Sequence, residues 1–198
     1  MNRIEQLAAD VGMLMADLDQ DIARFRQWSG LGCVWGCGRC CLKPDIEASP
    51  LEFLPFALHV WNSGQMTAWV ERIRNAGTTC VIFDESLSGP GACSQYPYRG
   101  LICRLFGFAA RRNKYGAREL VTCSVIKEGQ SDSFRKASEA ILDPQVEVPV
   151  FTRYYDRLRN LDPDLGSTFL PINHAILRAL EVVAQFMDYL QAEGTVEA

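Results

Sequence analysis

Cys33-Val34-Trp35-Gly36-Cys37-Gly38-Arg39-Cys40-Cys41 places four thiols within nine residues. Spacings this short bring several sulfurs within reach of one metal centre, and Gly36 and Gly38 permit the tight turns such a loop requires. A close-spaced cysteine group usually works with a distant one. The chain supplies it as Cys80, Cys93, Cys103 and Cys123, so all eight cysteines of the 198 residues fall between 33 and 123. Cysteine used as small core filler would not segregate in this way. Charge segregates with it. Residues 33–127 hold eleven Lys/Arg and seven Asp/Glu, net +4, whereas the whole chain carries −4. Cationic surroundings favour thiolate, the form that binds metals, and offset the negative charge of a metal held by four thiolates. Cys40 and Cys41 are adjacent, and consecutive side chains tend to diverge. They are expected either to serve two centres or to divide into one ligand and one packed residue.

Outward from this window the pattern is helical. Ile4, Leu7, Val11, Leu14, Leu18, Phe25 and Trp28 recur at three- and four-residue steps, broken only at Asp21, and predict a helix over 3–29 stopped by Gly30 and Gly32. Ser49-Pro50-Leu51-Glu52 is a capping box with proline at the first helical position, opening a helix to about Trp61 with a break at Gly64. Thr67–Asn75 reads as a further helix and Thr79–Phe83 as a short strand. Ser86–Gly91 reads as a turn, and Leu105–Arg111 and Leu120–Ile126 as strands joined through Asn113–Gly116. Helices are expected over Ser133–Leu142, from Phe151 to Leu161, and along Ile176, Leu180, Val183, Met187 and Leu190, the last ended by Gly194. The fold expected is α+β and mostly helical. A small cysteine-organised centre with short strands is flanked by long amphipathic N- and C-terminal helices that pack on each other or cover the cluster. The whole reads as one domain, with an N-terminal helix (1–32), a metal-binding core (33–127) and a C-terminal helical region (128–198).

Ligand chemistry narrows the metal. His59 and His174 are too few and lack cysteine neighbours in sequence, and are read as a helical surface residue and a helix-start residue. An all-thiolate set suits zinc or an iron–sulfur cluster, not magnesium, calcium or a two-His-one-carboxylate iron site. No apolar run reaches a membrane span, no secretory signal is visible, and the net charge carries no nucleic-acid signature. A cytoplasmic protein with reduced thiols is therefore expected, and a disulfide scaffold ranks below metal binding. Arg111, Arg112, Lys114 and Arg118 form a basic patch best read as a solvated turn. No phosphate loop, Ser–His–Asp set or carboxylate pair stands out. Any protein partner stays open.

The run Cys33-x3-Cys37-x2-Cys40-Cys41, with Cys93-x2-Tyr96-x2-Arg99-x3-Cys103-Arg104-x-Phe106, resembles the YkgJ-like cysteine-cluster family, the zinc- or iron-chelating domain with signature CxxxCxxCC. Cys80 ahead of Phe83, and the late Cys123, also fit. Gly100 departs, since the family usually has proline after the arginine matched by Arg99. The resemblance covers about 33–127 and implies metal chelation by Cys33, Cys37, Cys40, Cys41, Cys80, Cys93, Cys103 and Cys123. Arg99 and Arg104 are expected to donate hydrogen bonds toward thiolates or sulfides, or to pair with Asp84 or Glu85. Tyr96 and Phe106 are expected to shield the site from water. Flagellin lysine N-methylases are similar in the cysteine motif and are associated with an iron–sulfur cluster. An iron–sulfur enzyme in redox or group-transfer chemistry is thus the alternative to a non-catalytic metal-binding protein. A radical S-adenosylmethionine reading of Cys33-x3-Cys37-x2-Cys40 ranks low, because Arg39 stands where an aromatic is usual and the repeated strand–helix units are missing. Between the two metals the balance leans to iron–sulfur, since a cluster spreads its ligand positions over several iron atoms and accommodates adjacent cysteines more readily.

Overall fold

The stripe on the first helix is buried along most of its length. In the computed structural model, which describes residues 1–34, 37–87 and 91–196, α1 spans Arg3–Ser29. Asn2 and Glu5 close a reciprocal capping box at its start, each side chain accepting from the other's backbone N–H at 2.9 Å. Gly30, at φ 71°, ends it in the left-handed conformation that favours glycine. Ile4, Val11, Leu14, Leu18, Ile22 and Phe25 face the core. Trp28, expected in the stripe, is 52% exposed. Asp21 breaks the stripe because its carboxylate accepts from the Tyr154 hydroxyl.

The capping box at Ser49 opens a 3-10 turn (Pro50–Phe53) that runs into α2 (Leu54–Asn62) and then α3 (Met66–Arg74). Two-residue strands β1 (Glu47–Ala48), β2 (Phe83–Asp84) and β3 (Ala92–Cys93) bracket this segment, and α4 (Leu101–Leu105) follows. Next come β4 (Ala109–Arg112), β5 (Arg118–Val121), α5 (Ser124–Gly129), α6 (Ser131–Ala140), α7 (Phe151–Leu161), α8 (Pro163–Ser167), β6 (Leu170–Pro171) and α9 (Ile172–Val196). The strands form three separate antiparallel pairs, β1–β6, β2–β3 and β4–β5. This is the mostly helical α+β fold expected. The flanking helices meet differently. Rather than pairing mainly with each other, both pack on α2, whose Leu54, Phe56, Ala57 and Val60 are buried. One continuous apolar core runs from Ile4 to Val183 through these three helices. No described helix is long and apolar enough to cross a membrane.

Four local expectations fail, three for a visible reason. Thr79–Ile82 is a turn, not a strand, because Asn173 takes its backbone groups. Its Oδ1 accepts from Val81 N–H at 2.8 Å, and its Nδ2 donates to the carbonyls of Gly77 (3.1 Å) and Thr79 (2.9 Å). The strand expected from Leu105 begins only at Ala109, after Gly107 at φ 105°, and its partner stops at Val121 because Cys123 caps α5. The helix expected to end at Gly194 continues to Val196. The Asn113–Gly116 turn forms, with Asn113 Oδ1 accepting from Tyr115 and Ala117 N–H. Of the Ser86–Gly91 turn, Ser88, Gly89 and Pro90 lie outside the described residues, as do Trp35 and Gly36 of the cysteine loop.

Candidate metal centre

The two ends of the 33–41 loop are tied to different parts of the molecule. At its start, Gly32 N–H donates to Gln130 Oε1 (2.8 Å) and Gln130 Nε2 donates back to the Gly32 carbonyl (2.6 Å). Gln130 immediately follows α5, whose N-cap is Cys123. At its end, Cys80 N–H donates to the Cys41 carbonyl (3.2 Å). Gly38 lies against the β2–β3 hairpin so closely that a Cβ there would sit 2.5 Å from the Gly91 carbonyl oxygen and overlap the Phe83 ring. That hairpin pairs Phe83 with Cys93. Glycine at 38 is thus required by backbone approach, not only by a turn.

The thiols sort accordingly. Cys40, Cys80, Cys93 and Cys103 all lie close enough for the charge of each to bear on the other three. Cys80 is buried, and burial pushes its thiol up to about 11; burial drives Cys103 up further, with Cys80 and Glu52 adding to it. Cys33 is exposed. Its thiol is raised by partial desolvation and by neighbouring Cys37, Cys123 and Cys40, with Arg26 opposing. Cys40 and Cys41 do not diverge as expected. The Cys41 thiol donates to Cys40 and thereby holds Cys40 low and itself high. Among the described residues no three His, Cys, Asp or Glu side chains converge tightly enough to hold a single ion. The donor set nevertheless fits a thiophilic metal, because sulfurs so gathered are the soft ligands that zinc and iron–sulfur clusters take.

Arg99 and Arg104 take unequal roles. Arg99 brings positive charge to both Cys40 and Cys93, and Arg104 adds to it at Cys93. Its guanidinium lies over the Tyr96 ring at 3.6 Å, and its Nε is buried without a protein partner. Arg104 is buried and its guanidinium is spent on the protein. It donates to the carbonyls of Arg99 (3.0 Å) and Pro97 (2.6 Å) and pairs with Asp19, not with Asp84 or Glu85. Tyr96 is 58% exposed and covers Arg99; Phe106 is half-buried. His59 stacks on Tyr98 at 4.7 Å, and both histidines are exposed. In the basic patch, Arg111 pairs with Glu119, Arg112 bonds the Gly116 carbonyl and Arg118 bonds those of Val146 and Asp143.

Glu52 was legible only as the far half of a capping box. Its Oε1 closes that box on Ser49 N–H (2.9 Å), while Oε2 reaches across to Ile102 N–H (2.9 Å), holding the first turn of the helix that carries Cys103. The Tyr155 hydroxyl donates to the same carboxylate. Burial pushes Glu52 up to about 7 against these hydrogen bonds. Gly100 now has a reason. A Cβ there would lie 2.8 Å from Phe53 Cζ and 3.0 Å from Glu52 Oε2, so this carboxylate and ring occupy the space a larger residue would need.

A family model named CxxCxxCC, described as "putative zinc- or iron-chelating domain", matches residues 32–124. Residues 32–124 belong to this cysteine-cluster family. The family name writes two residues between its first two cysteines, whereas three separate Cys33 from Cys37 here. Metal chelation through the cysteines is the chemistry this membership carries. No curated protein and no solved structure is significantly similar to the chain.

Proposed function

We propose that this chain is a metal-binding protein whose Cys40, Cys80, Cys93 and Cys103 ligate an iron–sulfur cluster. The observation that carries the reading is the mutual proximity of these four thiols, drawn from four separate elements of the fold. Several neighbouring sulfurs, two of them on the adjacent Cys40 and Cys41, suit a core that distributes its ligands over several iron atoms. Arg99 supports the same reading, since a buried, unpartnered guanidinium nitrogen beside thiolates offers a hydrogen bond and a compensating charge to an anionic cluster. When bound, such a cluster supplies one-electron chemistry or an anchoring site for a ligand. The chain's own residues fix its ligands and set its charge environment. Cys41 holds Cys40 by a thiol hydrogen bond, and Glu52 holds the turn that carries Cys103.

The test is purification without oxygen followed by iron, zinc and acid-labile sulfide analysis and a visible spectrum. A brown protein with iron and sulfide is expected. A colourless protein carrying zinc overturns the cluster and leaves thiolate metal binding intact. Stoichiometric disulfides with no metal overturn both.

A further inference from the structure

A cavity of about 370 Å³ opens between α1, β5, the 144–150 segment and the first turn of α7, and no described cysteine lines it. Its walls are largely apolar, with Phe25, itself 2% exposed, beside Val146, Val148 and Pro149. Its charged residues are Asp21, Arg24, Arg118, Glu147 and Arg153. Asp21 and Arg24 pair with each other, and Asp21 also accepts from the Tyr154 hydroxyl, so these two balance. Arg118 and Arg153 do not. Arg118 donates to the carbonyls of Val146 (3.0 Å) and Asp143, which fix its guanidinium without neutralising it. The Asp143 carboxylate accepts from Gln145 N–H instead (2.9 Å). Arg112 stands directly opposite Arg118 across the β4–β5 ladder, and like charges facing each other destabilise a sheet. Arg153 lies in the first turn of α7, which holds no acidic residue, and the helix dipole disfavours a cation there. Neither arginine has a carboxylate partner among the described residues. Two cations thus stand at the rim of one apolar cavity in positions that cost stability unless an anion lies between them.

We propose that this cavity binds a small organic monoanion, a carboxylate on an apolar body. Arg153 and Arg118 take the carboxylate, and Phe25, Val148 and Pro149 pack the body. Small-molecule pockets are of this size and kind, mostly apolar with a few converging polar groups. A carboxylate is an anion that a guanidinium holds through two parallel hydrogen bonds, and Arg153 brings a whole guanidinium to it. Glu147 sets the charge of the ligand. It is exposed on the same lining and has no ion-pair partner among the described residues. It opposes a second negative charge, and so disfavours a phosphate monoester, which is mostly a dianion at neutral pH. The site is independent of the metal centre and of which metal fills it.

The experiment titrates 4-fluorobenzoate with the full-length chain and follows binding by fluorine NMR. Saturable binding is expected, displaced by unlabelled benzoate. Acetate and inorganic phosphate, which lack the apolar body, are expected to displace it only at concentrations about tenfold higher. Arg153→Gln, at an exposed position, is expected to weaken binding about tenfold through loss of a charge-assisted pair. Glu147→Gln is expected to tighten it about threefold by removing repulsion. Arg111→Gln deletes the same charge from the other face of the hairpin, where Arg111 pairs with Glu119, and is expected to leave the affinity unchanged. Absence of saturable binding overturns the proposal. So do an Arg153→Gln affinity equal to wild type, equal losses in Arg153→Gln and Arg111→Gln, which would mean general charge attraction, and a Glu147→Gln variant that binds no tighter. Phosphate displacing the probe more strongly than benzoate overturns the carboxylate assignment.

Discussion

The helical frame and the cysteine centre are held by different forces. In the frame, α1, α2 and α9 share a core in which Leu18, Phe56, Leu180 and Val183 are sealed from solvent, and apolar burial of this kind needs no bound metal. The centre has two-residue strands, a five-residue helix and thiols whose ordinary alternative to a metal is a weak hydrogen bond. The frame is complete without a ligand and the centre is not, so each perturbation sorts by which region it strikes.

The largest effect is expected in the frame. Phe56 is fully buried, with its ring edge-on to Trp69 at 5.0 Å. Phe56→Ala should cost about 3–5 kcal/mol in urea unfolding, by equal amounts in metal-free and metal-loaded protein. A loss confined to one form would break the separation. Next comes metal removal. At a free metal concentration a hundredfold above Kd, binding adds about 2.7 kcal/mol, and Cys103→Ala should abolish that increment. Hydrogen exchange should then show lost protection between 33 and 47 and between 79 and 107 while α1, α2 and α9 keep theirs. Unchanged melting and metal content in Cys103→Ala would refute it.

Glu52 joins the two regions, and its effect is smaller and pH-dependent. Its folded-state value is raised from near 4.5 to about 7 by burial. Below pH 4.5 folded and unfolded chains both carry the proton. Between there and 7 only the folded chain keeps it, so metal-free stability should fall with rising pH, by at most about 1.4 kcal/mol per unit. Glu52→Gln should flatten that slope; an identical slope in the variant would remove Glu52 as its source. Smallest of all is Glu119→Gln. It deletes an ion pair with Arg111 in which both side chains are more than half exposed, so denaturation midpoints should reveal a change under about 0.5 kcal/mol.

What could be read from the sequence followed the same division. Period and caps dictate α1 at both ends, because an apolar stripe and a terminal glycine are local signals. Trp28 escaped, since a helix that ends one residue later no longer has the core beneath it. The ligand types and their window were plain, but the grouping of the thiols was not. It is set by contacts 98 residues apart (Gly32 with Gln130) and 39 apart (Cys41 with Cys80), which no local spacing encodes. The 79–83 segment failed for a similar reason, since β-branched content argues for a strand only until a distant side chain satisfies the backbone instead. Arg104, beside Cys103 in sequence and bearing on Cys93 by its charge, is also a clamp between α4 and α1, which only the position of Asp19 reveals.

The bond set of Asn173 has a temporal consequence. The turn carrying Cys80 finds partners for Gly77, Thr79 and Val81 only on a residue 92 positions after Val81. A chain emerging from the ribosome at about 5–20 residues per second exposes its first four cysteines, and then Cys80, seconds before that asparagine exists. The thiols are therefore born before the scaffold that arranges them, and a nascent chain whose synthesis stops short of 173 would present the cysteines without the turn that seats Cys80 among them.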